Sequence, residues 1–204
     1  AEKRFSSKPV VSDPDSLYLR RRIENRMAHE DFKLVRLRNG AHAVYAAAYD
    51  EKMHPGLGPV AEAETLYVRQ LQIRERLTRH EGEFVVWDVG LGAAANALTL
   101  LRLTRDLPCL LRVVSFDDTA GPLEFALCHA EALGYFHGYE AATRALLERR
   151  VVSFTDGARS VDWRFQLGDF PTWCARAVER RSPSRRDTDP KREHAGSEFG
   201  AQIG

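Results

Sequence analysis

The stretch over residues 84–96, FVVWDVGLGAAAN, constrains the fold of this chain more than any other part of the sequence. An apolar run with strand character ends at Asp88, glycines follow at positions 90 and 92, and small apolar residues typical of a helix come next. Glycine permits a tight turn there and lets backbone N–H groups approach a ligand closely. The pattern predicts a strand, a turn and a helix, with a nucleotide-type ligand at the carboxyl end of the strand.

Strand-like and helix-like segments alternate from this stretch onward. Apolar strand patterns cover 84–88, 111–116 and 162–167, and helical patterns cover 94–105, 122–133, 139–149 and 171–181. Strands that alternate with helices favour parallel pairing. We therefore expect an α/β core with a Rossmann-like parallel sheet over 81–181.

The segment over 31–80 predicts a β-hairpin followed by a helix. Two strand-like runs flank Asn39 and Gly40, which are the residue types that a type I′ turn favours. The helix is expected over 61–80. Its apolar side would be formed by Leu66, Leu71, Ile73 and Leu77.

Both ends of the chain are polar. Residues 1–30 predict an N-terminal arm, and 182–204 carry almost no large apolar residues, which predicts a disordered tail. A fourth buried strand would need a β-branched or aromatic run, and the tail has none. We therefore expect the sheet to be incomplete.

The composition is that of a soluble globular protein, with 44% hydrophobic and 29% charged residues and a formal net charge of +1. The three cysteines form no CxxC pair, which favours reduced thiols and a cytoplasmic protein. No apolar run approaches the roughly 20 residues that span a bilayer. The seven histidines lack metal-binding spacings, so neither a membrane nor a metal is expected as a partner.

Acidic residues come at or just after the ends of the three predicted sheet strands: Asp88, Asp117 (or Asp118) and Asp169. Ligands of open parallel sheets bind outside the carboxyl ends of the strands. The second acid suits the two hydroxyls of a ribose, and the third suits an adenine amino group. Asp88 suits a ligand's ammonium or a loop amide. Alternatively, aspartates at strand ends cap the helices that follow.

The glycine turn has the form DxGxGxAxN. Gly90 and Gly92 match the first two glycines of the dinucleotide pattern GxGxxG, but Ala95 occupies the third position. The acid before the glycines and the missing third glycine favour S-adenosylmethionine over a pyrophosphate cofactor. A glycine turn that binds no ligand is the structural alternative.

Asp88, Gly90, Gly92 and Asn96 resemble the ligand loop of class I S-adenosylmethionine-dependent methyltransferases. More narrowly, the loop is similar to that of the methyltransferase domain that completes 5-methylaminomethyl-2-thiouridine at the tRNA wobble position, which reads roughly ExGFGTGxN. Ala94 stands where that family has its last glycine, and we expect an ordinary backbone φ for it.

The resemblance extends over roughly 32–175 and includes the segments at 50–55 and 62–70, which come before the first sheet strand. It implies S-adenosylmethionine as the cofactor, tRNA as a partner and N-methylation of an aminomethyl group as the reaction. The backbone at Gly90 and Gly92 would hold the methionine part, Asp117 the ribose and Asp169 the adenine.

The family's Asp-Pro-aromatic segment, which lies beside the methyl-accepting amine, has no full counterpart here. Asp189 and Pro190 lack the preceding apolar strand and the following aromatic residue, so no catalytic residue is assigned. The chain therefore resembles an N-terminal portion, or a frame-altered version, of such an enzyme. Two other interpretations stay open: an incomplete, inactive module for cofactor binding or interaction, and a fragment of an NAD-type oxidoreductase.

Other polar residues have weaker signals. His54, beside Pro55, could lie near a substrate, although a structural or solvated role is favoured. The arginines at 20–22 and 180–186 could contact RNA phosphates. Acids interleaved with them make a solvated surface an equally good interpretation.

Overall fold

The computed structural model describes residues 31–181 and 201–203. The strands are β1 (Phe32–Arg36), β2 (His42–Ala46), β3 (Glu51–Lys52), β4 (Glu83–Val89), β5 (Leu110–Asp117), β6 (Val151–Asp156), β7 (Arg159–Leu167) and β8 (Ala201–Ile203). The α-helices are α1 (Pro59–Glu62), α2 (Ile73–Arg79), α3 (Ala95–Leu103), α4 (Gly121–Cys128), α5 (Ala130–Leu133), α6 (Glu140–Arg149) and α7 (Phe170–Arg181).

The predicted hairpin is confirmed as the antiparallel pair β1–β2, to which β3 adds a third strand. The predicted type I′ turn is wrong. Only Gly40 has a positive φ, at +86°, and its N–H donates to the Leu37 carbonyl while Leu37 N–H donates to Ala41. This is the geometry of a three-residue loop that ends in a left-handed glycine, so one glycine suffices.

The helix expected over 61–80 is divided into three parts. A π-helical segment, Ala63–Arg69, continues α1, and Gln72 adopts a left-handed φ of +49° before α2 begins. Since a π-helix has more residues per turn than an α-helix, its buried face shifts along the sequence. Val68 is buried, whereas Leu66, expected on the apolar side, is 45% exposed.

The main sheet has the strand order β6-β7-β5-β4-β8. β4, β5 and β7 pair in parallel, and β8 pairs in parallel with the other side of β4. Counted among the parallel strands alone, this is the order 3-2-1-4, the arrangement of a Rossmann-like sheet. The predicted fold class is confirmed.

Helices cover both faces of this sheet. On one face, Arg159 of β7 donates hydrogen bonds to the Leu101 carbonyl of α3 and to Thr104 just beyond it. On the other face, Trp87 of β4 contacts two aromatic rings of α7, those of Phe170 and Trp173, with ring centroids 5.9 and 5.8 Å apart. Side chains that alternate along a strand thus enter two different layers.

Two strands depart from the expectations. β6 is antiparallel to β7 and was not predicted, because its alternating exposed and partly buried residues lack a continuous apolar run. β8 lies within the segment predicted to be disordered, so the expectation of no fourth strand is wrong at 201–203. The predicted arm at 1–30 and the Asp189-Pro190 pair lie outside the described residues.

None of the helices in the described part of the chain is long and apolar enough to cross a membrane.

Candidate functional site

A cleft of about 250 Å³ lies at the carboxyl ends of β4, β5 and β7. Its lining residues are Val89, Gly90, Phe116, Asp117, Asp118, Gly168, Asp169, Phe170 and Pro171. Three of the predicted site residues, Gly90, Asp117 and Asp169, therefore meet in one place. They do so because parallel strands bring their carboxyl ends to the same edge of the sheet.

The glycine turn leaves β4 toward this cleft and is attached to β5. The N–H groups of Gly90 and Leu91 both donate to the Phe116 carbonyl, at 2.9 Å each. Gly90 has a φ of +81° and Gly92 a φ of +51°. A Cβ atom on Gly90 would meet nothing within 4 Å, so the backbone of the turn faces open space here.

Ala94 also adopts the left-handed region, with φ +61° and ψ +19°. The expectation of an ordinary φ at this position is wrong. Ala94 precedes α3 and is fully buried, and its carbonyl accepts the first helical hydrogen bond, from Leu98. Because a left-handed alanine costs roughly 1–2 kcal/mol, the geometry accounts for a glycine here in the family that the loop resembles.

Asp117 joins the end of β5 to the glycine turn. Its Oδ2 accepts the Gly92 N–H at 2.8 Å, and its Oδ1 accepts the Thr119 N–H at 3.2 Å. An ionised carboxylate has about four acceptor sites. Asp117 therefore keeps acceptor capacity toward the cleft while it holds the turn.

Asp169 caps α7, as the alternative interpretation of the strand-end acids had it. Its Oδ2 accepts hydrogen bonds from the backbone N–H of Thr172 at 2.9 Å and from the Thr172 hydroxyl at 2.7 Å. These bonds stabilise the anion and lower the pKa of Asp169. The same residue lines the cleft, so capping does not remove it from the candidate site.

Asp88 is fully buried and does not line the cleft. Its Oδ2 accepts a hydrogen bond from the Ser115 hydroxyl at 2.6 Å, and Ser115 in turn accepts one from Trp163 Nε1 at 2.9 Å. Its Oδ1 has no hydrogen-bond partner among the described residues. Burial raises the pKa of Asp88 to about 7, against the smaller, opposite effect of the Ser115 bond.

Asn96 lies in the first turn of α3 and is 7% exposed. Its Oδ1 atom has no partner within the described part of the protein. Asn96 and Asp88, which flank the glycine turn in sequence, therefore each carry a buried oxygen without a hydrogen-bond partner among the described residues.

Sequence reasoning missed an aromatic wall of the cleft. Phe116 and Phe170 both line it, with ring centroids 4.8 Å apart, and Trp173 contacts Phe116 from behind at 4.9 Å. Trp163, on β7, is fully buried in the core. The signal that could have found this wall is the Gly-Asp-Phe sequence after β7, where an aromatic residue directly follows a strand-end acid.

No cluster of three or more potential metal ligands is found among the residues that the structure describes. The cleft is lined by backbone, carboxylate and aromatic groups. A π-face, acceptors for hydroxyl or amino donors, and a glycine turn are a set that suits a nucleoside.

No protein-family model matches the chain, and a search of curated proteins finds no significant match. Among solved structures, the chain is similar to the crystal structure of MnmC2 from Aquifex aeolicus, with 19% identity and a TM-score of 0.48. The match covers 75% of this chain and 54% of that one, so the chain spans about half the length of that structure. The fold is defined by the order and register of its strands, independently of this likeness.

Proposed function

We propose that the chain binds S-adenosylmethionine in the cleft at the carboxyl ends of β4, β5 and β7. The observation that carries the proposal is the meeting of Gly90, Asp117 and Asp169 in a single cleft with an aromatic wall. In the sequence these residues are far apart, and both acids keep acceptor capacity beyond the hydrogen bonds that they accept.

The residues present fit this cofactor. Gly90 and Gly168 have positive φ angles, and a Cβ atom on either would point into open space, so a ligand can approach the backbone at both places. The cleft volume of about 250 Å³ lies just below the roughly 300–1,000 Å³ of typical ligand sites. It suits the nucleoside part, with the rest of the ligand running along the glycine turn.

Each residue then has a role that follows from its chemistry. The backbone of the glycine turn at Gly90 and Gly92 would lie beside the methionine part, Asp117 would accept from the ribose and Asp169 from the adenine. The bound cofactor would supply an electrophilic methyl group. The chain contributes placement of that group, which is where much of the rate of a two-substrate reaction originates.

The acceptor that we propose is the 5-aminomethyl group of the wobble uridine in tRNA, which gives a tRNA-modifying N-methyltransferase. This finer assignment rests on the resemblance of the loop and of the segments before β4. The lining of the cleft includes only acids as titratable side chains. The second candidate, a module that binds the cofactor without turnover, rests on the missing counterpart of the Asp-Pro-aromatic segment.

Calorimetric titration tests the binding. We expect S-adenosylmethionine and S-adenosylhomocysteine to bind and NADH not to bind. Asp117→Ala should weaken binding roughly 10- to 100-fold, the loss of hydrogen bonds to a charged acceptor. Asp106→Ala is the control, since Asp106 pairs with Arg74 on the surface.

Asp118→Ala distinguishes the two neighbouring acids, since both line the cleft. Strong NADH binding, or no binding of either S-adenosyl compound by the folded chain, would refute the proposal. Incubation with tRNA that carries an unmethylated aminomethyl group separates the two candidates. Methyl incorporation indicates the enzyme, and cofactor binding without it indicates the inactive module.

A further inference from the structure

The loop between β3 and α1 lies against the glycine turn, away from the residues that line the cleft. Its contact residue is Met53, whose Sδ atom is 3.4 Å from the position that a Cβ atom would take on Gly92. The Met53 N–H donates to the Val44 carbonyl of β2 at 2.9 Å, which fixes its backbone. The Gly92 N–H is the one that donates to Asp117. Met53 therefore packs against the residue whose N–H group hydrogen-bonds to Asp117, the proposed ribose-binding acid.

Glu62, at the end of α1, holds this loop with both of its carboxylate oxygens. Oε1 accepts the backbone N–H groups of Gly56 at 2.6 Å and Leu57 at 2.8 Å. Oε2 lies 3.3 Å from His54 Nδ1, and both side chains are mostly buried, at 16% and 19% exposed. Hydrogen bonds to an ionised acceptor are about twice as strong as neutral ones. One side chain thus restrains residues 54–57.

The loop needs such a restraint because its backbone is strained. His54 adopts a left-handed φ of +59°, which costs of order 1–3 kcal/mol in a residue other than glycine. Burial lowers the pKa of His54, and the nearby Glu62 acts in the opposite direction. Near neutral pH the imidazole is then uncharged, and its Nδ1–H can donate to Glu62.

We propose that Glu62 is a positioning residue of the ligand site, which acts through the 53–57 loop and Met53 on Gly92. By holding the loop, it keeps Met53 against the glycine turn and so preserves the bond between Gly92 and Asp117. Ligand affinity then depends on a side chain that does not line the cleft. The effect on affinity rests on the proposed function, whereas the effect on the turn does not.

Amide hydrogen exchange at Gly92, followed by NMR in the ligand-free chain, is the first test. Glu62→Ala removes the three contacts and is expected to speed exchange at Gly92 by about tenfold or more through easier local opening. Glu62→Gln keeps an acceptor oxygen for the two backbone N–H groups and should retain most of the protection. Glu64→Ala is the matched control, because Glu64 pairs with Arg69 within the π-helical segment.

Met53 provides the second test. Met53→Ala should reproduce the faster exchange at Gly92, and Met53→Leu, which is similar in volume, should largely prevent it. If Glu62→Ala unfolds the chain, exchange rises throughout β5 as well, and the two Met53 variants then decide. Unchanged exchange at Gly92 in folded Glu62→Ala or in Met53→Ala would overturn the positioning role.

Calorimetry with S-adenosylhomocysteine completes the test. Glu62→Ala and Met53→Ala should weaken binding by about the factor by which exchange at Gly92 rises, with Glu64→Ala unchanged. If the unaltered chain binds no S-adenosyl compound while Gly92 responds to Glu62, the proposed function fails and the positioning role stands. If the unaltered chain binds and Glu62→Ala leaves both exchange and affinity unchanged, the positioning role fails alone.

Discussion

The carboxyl group of Asp88 is held in a layer of the protein that excludes water. It is fully buried at the end of β4, and its hydrogen-bond donor within the described part of the chain is the Ser115 hydroxyl. Nearby Asp117 adds repulsion of like charge to the cost of burial, and together they raise the pKa of Asp88 to about 7. The Oδ1 atom of Asp88 accepts no hydrogen bond from the described residues that would favour ionisation.

The raised pKa of Asp88 predicts the pH dependence of stability. Between about pH 4 and pH 7 the native chain keeps the Asp88 proton that the unfolded chain has lost, so the free energy of unfolding should fall as pH rises. The full effect is roughly 4 kcal/mol, because a tenfold change in proton affinity is worth about 1.36 kcal/mol. Asp88→Asn should lose this dependence and be more stable than the unaltered chain at pH 8. Urea unfolding at pH 5, 6, 7 and 8 measures it.

Asp106→Asn is the control for this measurement, because the Arg74 guanidinium lowers the pKa of Asp106 to about 2. Its carboxylate therefore stays ionised, folded or unfolded, through most of the tested range. If the free energy of unfolding changed equally with pH in Asp88→Asn and in the unaltered chain between pH 5 and 7, the raised pKa of Asp88 would be contradicted.

Several elements meet at a buried ion-pair network centred on Asp156, the last residue of β6. Its carboxylate accepts from Arg159 at 2.7 Å, from Arg105 at 2.9 Å and from the Tyr139 hydroxyl at 2.9 Å. Arg105 follows α3, Tyr139 precedes α6 and Arg159 begins β7. The network therefore fixes the antiparallel β6–β7 pair against two helices.

Removal of the central acid should be costly. In Asp156→Ala the Arg159 guanidinium, fully buried, would lose its carboxylate partner, and breaking such a pair typically costs about 3–5 kcal/mol. Asp162→Ala, which breaks the partly exposed pair with Arg164, should cost at most about 1 kcal/mol. Urea unfolding at pH 7 measures the free energy of unfolding of both variants. If Asp156→Ala lost no more than Asp162→Ala, the network would not stabilise the fold.

At the level of the whole molecule, helices pack on both faces of the sheet, and the cleft lies at the carboxyl ends of its parallel strands. Any ligand that binds only the folded chain stabilises it by mass action. S-adenosylhomocysteine at 100 times its dissociation constant should add about 2.7 kcal/mol. In a chain of this size that corresponds to a rise in Tm of roughly 5–11 °C.

Differential scanning calorimetry measures this rise. Asp117→Ala should lose most of it at the same ligand concentration, and adenine alone should give a smaller rise because it lacks the ribose and methionine contacts. A rise of equal size in Asp117→Ala would place the ligand elsewhere on the molecule.

The predictions from sequence succeeded where the signal is local and repeated. The core strands were found from apolar runs such as the one ending at Asp88, and the hairpin from its two flanking runs, because backbone pairing needs only side chains of the right polarity at regular spacing. They failed at single backbone angles. Ala94 is left-handed and Asn39 is not, since surrounding contacts outweigh the local preference of one residue.

The candidate site was found only in part. The parallel strands bring Gly90, Asp117 and Asp169 together as expected. Asp88, in contrast, is fully buried and does not line the cleft. The helical cap at Asp169 could be anticipated as an alternative, because a strand-end acid before a helix suits both roles. The contact of Met53 with Gly92 could not be anticipated, because nothing in the pattern of the segment at 50–58 indicates which surface it covers.

The strand β8 is another element that tertiary contacts determine and that the local sequence pattern does not indicate. Three residues, 201–203, pair in parallel with β4 although their sequence has no strand signal of its own. The exposed backbone of a sheet edge can recruit a short segment that has no strand preference, because the hydrogen bonds come from the main chain. Because this pairing does not depend on side chains, their pattern does not predict it.

The amino-acid pattern was therefore sufficient for the Rossmann-like class and for the edge of the sheet at which the cleft lies, since both follow from the alternation of strands and helices. The direction of each acidic side chain, the backbone angle at Ala94 and the support that Glu62 gives to the glycine turn required the folded chain. Those features depend on contacts between residues distant in sequence, and the free energy of such contacts exceeds the small local preferences that a sequence displays.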